Sequence, residues 1–223
     1  MSPFRDPRPG GLPAEIPIFP LQGALLLPGG RLPLNIFEPR YLAMVEDALG
    51  TGRLLGMVLP DPAHPRIEGR STIYRTGCLG RIASFSETDD GRYLITLLGL
   101  LRFRVVEELP DRPSGYRQVS ADFSPYLADL DPPPEGQAQD ARAPLLAALR
   151  PYFAARHIEV DWSAIERMAM PALVTTLCMI CPFDGREQQA LLEAADPVQR
   201  ADLLVTLLRI DANPSASMGQ RPS

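Results

Sequence analysis

Two hydrophobic periods divide this chain. Up to about residue 123, apolar residues recur every second position in short runs. Leu32, Leu34 and Ile36 alternate with Arg31, Pro33 and Asn35, and Leu101, Phe103 and Val105 with Arg102 and Arg104. This is the pattern of strands buried on one face. LLGMVLP (54–60) reads as a fully buried strand, and Val119, Ala121 and Phe123 close the set. IPIFPL (16–21) is apolar but broken by prolines, which predicts an edge strand. Between ASFSE and RYLIT lies Asp90-Gly91, a dipeptide suited to the tip of a tight hairpin. Gly99 interrupts the following apolar run and predicts a bulge or sharp bend. Strands of this number and length point to a small barrel or a folded sheet.

One helix is inserted among them. In NIFEPRYLAMVEDAL (35–49), Tyr41, Met44, Val45, Ala48 and Leu49 are spaced as one apolar helix face. Pro39 suits the first turn, and Glu38 sets negative charge at the positive end of the helix dipole. Arg40 can reach a carboxylate or a backbone carbonyl of the preceding strand. Architecture alone explains this corner, with no acid–base partner required.

Beyond SPYLADLDPPPEGQAQD (124–140) the period changes to 3.6. ARAPLLAALRPYFAAR reads as a helix carrying Pro151, and WSAIERMAMPALVTTLCMIC as a helical stretch that Pro171 kinks or splits. In FDGREQQALLEAA, Asp184 and Glu187 resemble a capping box. In ADPVQRADLLVTLLRI, Asp196 can cap, Pro197 suits the first helical position, and Leu203, Leu204, Leu207 and Leu208 form an apolar stripe. The expected organisation is a flexible N-terminus (1–13), a sheet-rich domain (14–123), a proline-rich linker (124–140), a helical bundle (141–211) and a flexible C-terminus (212–223).

Composition narrows the chemistry. Apolar residues make up 45% of the chain and charged residues 22%, which is ordinary globular composition. A formal charge of -5 gives no general attraction to nucleic acid or anionic lipid. All 22 basic residues are arginine. Without lysine there is no Schiff-base nucleophile, no Ser-Lys dyad and no phosphate-loop lysine. The N-terminus lacks the apolar core of a secretory signal, and no apolar run is long enough to span a bilayer. Together these predict a cytoplasmic protein with free thiols.

The remaining motifs read as structure. Cys178-Met179-Ile180-Cys181 ends a hydrophobic helix, and no second pair of ligands accompanies it, so core cysteines are the expectation. His64 and His157 are isolated. GTGRLLG (50–56) has the wrong glycine spacing for a dinucleotide fingerprint and follows a helix. Asp89/Asp90 and Glu107/Glu108 fall at a turn and a strand end. Arg81, Arg92, Arg102 and Arg104 together could form a cationic face able to meet phosphates, although a wet barrel face is the favoured reading.

The opening IPIFPLQGALLLPGGRLPLNIFEPRYLAMVEDAL and the later GCLGRIASFSETDDGRYLITLLGLLRFRVVEEL resemble the N-terminal, substrate-binding domain of Lon proteases over residues 16–123. CPFDGREQQALLEAADPVQRADLLVTLL is similar to that family's C-terminal helices. The resemblance implies an α+β fold, with a PUA-like β-barrel containing one inserted helix followed by a C-terminal helical bundle. It implies a non-catalytic adaptor or recognition module that engages unfolded or extended polypeptides and works with a protease or chaperone. It implies no cofactor, no metal and no catalytic residue, since full Lon proteases place their ATPase and Ser-Lys protease modules after this region. For polypeptide binding the expected residues are Phe37, Glu38, Arg40 and Tyr41, through an apolar groove and edge-strand pairing. An RNA-binding PUA-like module using the arginine-rich face is the alternative, and a small-molecule enzyme a third reading.

Overall fold

The computed structural model describes residues 11–64, 70–131 and 138–212. The expected flexible ends and the proline run at 132–134 lie almost wholly outside these residues. In chain order the elements are β1 (Glu15–Pro20), β2 (Arg31–Ile36), α1 (Pro39–Gly50), β3 (Leu54–Val58), β4 (Thr76–Glu87), β5 (Tyr93–Leu109) and β6 (Arg117–Asp122). These are followed by α2 (Arg142–Ala155), α3 (Trp162–Arg167), α4 (Met170–Ile180), α5 (Gly185–Glu193) and α6 (Pro197–Ala212). The chain divides into two compact units, Met1–Pro132 with Pro182–Leu192, and Pro133–Cys181 with Glu193–Ser223. The fold is α+β. The 141–211 run expected to form one bundle is divided, because the α5 segment falls in the first unit.

In the first unit, six strands form a mixed sheet in the order β2-β5-β4-β3-β1-β6. β5 is long enough to pair with three neighbours: β2 and β4 along its first part and β6 along its last. The β5–β6 pairing closes the circuit β5–β4–β3–β1–β6, leaving β2 outside it and, among the described residues, paired with β5 alone. β5 bends where its register shifts. Leu79 pairs with Leu101 and Gly80 with Gly99, so Leu100 is an extra residue. Gly99 is required there for space, since a Cβ would stand 2.0 Å from the Leu27 carbonyl oxygen. A second shift between Val105 and Glu107 leaves Val106 unpaired and exposed.

The expected edge at 16–21 is instead interior. β1 pairs with β6 through Glu15–Ile18 and, in parallel, with β3 through Ile18–Pro20. Ala121 donates to the Ala14 carbonyl, which places Ile16 and Ile18 in hydrogen-bonded pairs with β6 and turns Pro17 toward β3. The β3 ladder begins only at Ile18, so the donor that Pro17 lacks is not needed. Inside the circuit, Ile16, Ile18, Leu79, Leu101, Phe103 and Val119 are completely buried. Gly77 makes room for the Phe103 ring, which a Cβ would meet at 2.6 Å.

α1 buries Tyr41, Met44, Val45 and Ala48, the face its spacing predicts. Two phenols fix its outer side: Tyr93 donates to Glu46 at 2.6 Å, and Tyr116 to Asp47 at 2.7 Å. α5 starts with the reciprocal capping box. Asp184 accepts from the Arg186 and Glu187 amides, and Glu187 accepts from the Asp184 amide. A polar set then holds α5 to the sheet. Gln189 donates to the Thr76 carbonyl at 3.2 Å, and Arg102 donates to the Leu192 carbonyl at 3.2 Å. Arg102 also makes a fork with Asp129 of the 3-10 segment Ser124–Leu130.

In the second unit, α2 packs on α6 and α4 on α6. α2 continues through Pro151, while the 162–181 stretch is two helices, with Pro171 in the first turn of α4. α6 is capped as its sequence predicts, the Gln199 amide donating to Asp196 at 2.9 Å. Its buried stripe includes Leu204, Leu207 and Leu208. Cys178 and Cys181 are buried and unbridged, and burial pushes the Cys178 thiol up to about 12. Among the described residues, no helix is long and apolar enough to cross a membrane.

Candidate functional site

The strand-to-helix corner separates into two parts. Glu38 is the N-cap residue of α1, yet its carboxylate caps no amide. It accepts instead from Arg40, at 3.0 Å from Nε and 2.7 Å from Nη2. The Arg40 guanidinium in turn lies 4.6 Å from the centre of the Tyr41 ring. Tyr41 is buried against Phe19, with ring centres 4.1 Å apart, and burial pushes its phenol up. Glu38, Arg40 and Tyr41 therefore form one local stack that starts α1. Phe37 stands apart at 63% exposed, with Arg92 6.0 Å above its ring.

Phe37 continues a surface that begins in the sheet. Cross-strand partners point to the same face of a sheet, and residues two apart along a strand share it. Pro33 pairs with Thr96 and Asn35 with Leu94 between β2 and β5, while Ser84 pairs with Thr96 and Ser86 with Leu94 between β4 and β5. These six side chains thus lie on one outer face, and Phe37 follows Asn35 at the same spacing. The six sheet residues help line a groove of about 450 Å³. Leu94 is 45% exposed at its centre. Among the described residues, none that lines the groove carries a charge. Its floor is shallow because serine, threonine and asparagine are short, so Leu94 stands above it.

The groove also ends at an open strand edge. Gly99 donates to the Gly30 carbonyl at 2.9 Å, one step beyond the Arg31↔Leu98 pair. Antiparallel pairs alternate, so Leu32, Leu34 and Ile36 exchange hydrogen bonds with β5. Arg31, Pro33 and Asn35 aim their backbone groups the other way, where no strand lies among the described residues. Pro33 fits this side because it has no donor to lose.

The other candidates are accounted for differently. The expected cationic face is not continuous. Arg102 is only 5% exposed and bonded to Asp129, and Arg92 pairs with Asp90 at 2.8 Å. His64 lies in a loop against Asp61, and His157 follows α2 with a φ of 54°. Asp89 and Asp90 sit at the exposed hairpin tip, and Glu108 pairs with Arg117. Among the described residues, no three His, Cys, Asp or Glu side chains come together as a metal site. Sequence reasoning singled out Phe37, which is exposed, and did not single out Leu94. The available signal was the run LITLL, apolar at Leu94, Ile95, Leu97 and Leu98 inside an otherwise alternating strand, which requires apolar groups on both faces.

Sheet circuit, inserted helix and uncharged outer groove define an α+β module that presents a surface. The chain belongs to the ATP-dependent protease La (LON) substrate-binding domain family, whose profile matches residues 15–209. It is 27% identical over 199 residues to Lon protease 2 of Myxococcus xanthus, covering 88% of this chain and 24% of that protein. It is 31% identical over 127 residues to Lon protease of Syntrophus aciditrophicus, covering 54% of this chain and 16% of that protein. The chain thus spans a quarter or less of the length of these two relatives. Among solved structures, a Lon N-terminal domain protein from Xanthomonas campestris is 25% identical with a TM-score of 0.60, covering 86% of this chain and 97% of that one. The N-terminal domain of the Mycobacterium avium complex Lon protease has the same TM-score at 18% identity, covering 87% and 97%. It shares the fold.

Proposed function

We propose that this chain is a non-catalytic adaptor that binds unfolded or extended polypeptide in the groove beside β2 and hands it to a protease or chaperone in the cytoplasm. In this reading the closed strand circuit is a PUA-like β-barrel and the second unit a helical bundle. The observation that carries it is the uncharged groove crossed by three strands, with Leu94 exposed in it and Phe37 exposed just beyond the end of β2. Exposed apolar groups among short polar ones suit apolar side chains of many kinds and set little demand on sequence. Glu38, Arg40 and Tyr41 serve this site from behind, by fixing the helix that sets the position of Phe37. Family membership supports substrate binding, and the burial of Arg102 weighs against an RNA-binding face.

The test is fluorescence anisotropy of a labelled, reduced and alkylated protein titrated with the whole chain. Binding should weaken on the order of tenfold in Leu94→Arg, as for truncation or reversal at the centre of an interface. Phe37→Ala should weaken it less. No binding at tens of micromolar by the folded wild type, or equal binding by Leu94→Arg, would overturn the proposal.

A further inference from the structure

We infer that the segment bound in this groove enters as an added antiparallel strand on β2, with an acidic residue opposite Arg31 and uncharged residues opposite Pro33 and Asn35. This rests on the polypeptide-binding reading and specifies the chemistry of its substrate. β2 is extended, exposed along Arg31, Pro33 and Asn35, and unpaired on its outer side among the described residues. The backbone groups aimed outward are the Arg31 and Asn35 amides and the carbonyls of Arg31, Pro33 and Asn35. Only another extended backbone matches such a row of alternating donors and acceptors.

The same register decides where side chains go. Incoming residues hydrogen-bonded to Arg31, Pro33 and Asn35 place their side chains on the groove face, because cross-strand partners share a face. Opposite Asn35, an apolar side chain lies toward Leu94 and Phe37. Opposite Pro33, the side chain sits beside the pyrrolidine ring at the rim of the groove, where a small uncharged one is enough. Arg31 is exposed and makes no ion pair among the described residues, so it offers positive charge to the third position. Running antiparallel to β2, the segment reads apolar–x–small–x–acid. Antiparallel addition is preferred as the slightly more stable pairing per residue.

Pro33 also excludes one competitor. Two copies of β2 paired about Pro33 would set proline against proline and lose both donors of the central pair. A different segment loses only one hydrogen bond there, since its own amide can still donate to the Pro33 carbonyl. The strand is thus guarded against itself while open to other chains.

The probe is a labelled acetyl-Gly-Val-Ser-Ala-Ser-Glu-Gly-amide peptide, titrated into the whole chain by anisotropy. Methylating the alanine nitrogen removes the donor to the Pro33 carbonyl and should weaken binding about tenfold or more. Methylating the serine between valine and alanine, whose amide faces away from β2, should leave binding unchanged. Replacing the peptide glutamate by lysine should weaken binding about threefold at low salt, and Arg31→Glu should restore it. Amide exchange at Arg31 and Asn35 should be fast in the free protein and slow with peptide. Equal loss from both methylations, or none from either, overturns strand addition while leaving groove binding intact. So does a peptide that fails to bind when the unfolded protein still binds in a Leu94-dependent way. Protected Arg31 and Asn35 amides in the free protein would show the edge already covered by this chain or a second copy, and would overturn it as well. Loss of both peptide and unfolded-protein binding defeats the underlying reading.

Discussion

Replacing Asp129 by alanine strands a charge. Its carboxylate accepts the Arg102 backbone amide at 3.0 Å, Nε at 2.8 Å and Nη2 at 2.8 Å. The arginine side chain is 6% exposed and the aspartate 12%, so water replaces little of what is lost. The Tyr126 ring, 4.6 Å from the guanidinium, keeps some attraction for the cation but accepts no comparable hydrogen bond. Breaking a buried pair from one side costs about 3–5 kcal/mol. With a urea m-value of about 2 kcal/mol per M, the midpoint should fall by about 1.5–2.5 M. The double change Arg102→Met with Asp129→Leu removes both charges and should recover at least half of that loss, leaving the residue 102 backbone amide without its acceptor and the Leu192 carbonyl without its donor. Far-UV circular dichroism should follow the transition. The single tryptophan is unsuitable, because Trp162 lies in the second unit and reports on that unit. A single-variant loss below about 1 kcal/mol, or a double variant as unstable as the single, would refute the claim that a desolvated charge dominates the cost.

Two further outcomes follow from the packing and the pairings of α1. Gly99→Ala puts a Cβ 2.0 Å from the Leu27 carbonyl oxygen, so backbone must move; a loss of about 3 kcal/mol or more, read as a lower melting temperature, is expected, and an unchanged melting temperature would contradict the geometry. Burial and the hydrogen bond to Asp47 push the Tyr116 phenol up to about 12, against an ordinary value of 10.0. The native state thus holds this proton more tightly than the unfolded chain does. The stabilisation is complete below about pH 10 and is lost as pH rises through about 12. Tyr116→Phe should remove one late-ionising phenol from the tyrosinate absorbance titration and flatten stability over that window; an unchanged titration would count against the pairing with Asp47.

Elements whose reason is local were legible in the residues. The β2 alternation, the Asp90-Gly91 hairpin, the apolar face of α1 and the caps at Asp184 and Asp196 each rest on contacts within a few positions, and each is where the pattern puts it. The errors have a different origin. β1 looked like an edge because prolines remove donors, but whether a missing donor matters depends on where two distant neighbours begin to pair. Arg102 looked like part of a wet cationic face because it alternates with Leu101 and Phe103. Its partners, Asp129 and the Leu192 carbonyl, are 27 and 90 positions away and leave no periodic trace. The groove is legible only in part for the same reason. Phe37 announces itself as an apolar residue at a turn, whereas Leu94 gains meaning only once β2 and β4 stand on either side of it.

The return of the α5 segment to the first unit sets an order for biosynthesis. A nascent chain that has emerged only as far as residue 131 holds all six strands but lacks the Gln189 amide and the Leu192 carbonyl that bond to Thr76 and Arg102. The sheet must therefore wait until α2, α3 and α4 have also emerged before its last polar partners arrive. A ribosome stalled after β6 would display a near-complete sheet with an unsatisfied Arg102–Leu192 contact, and a polypeptide truncated there would carry that deficit permanently.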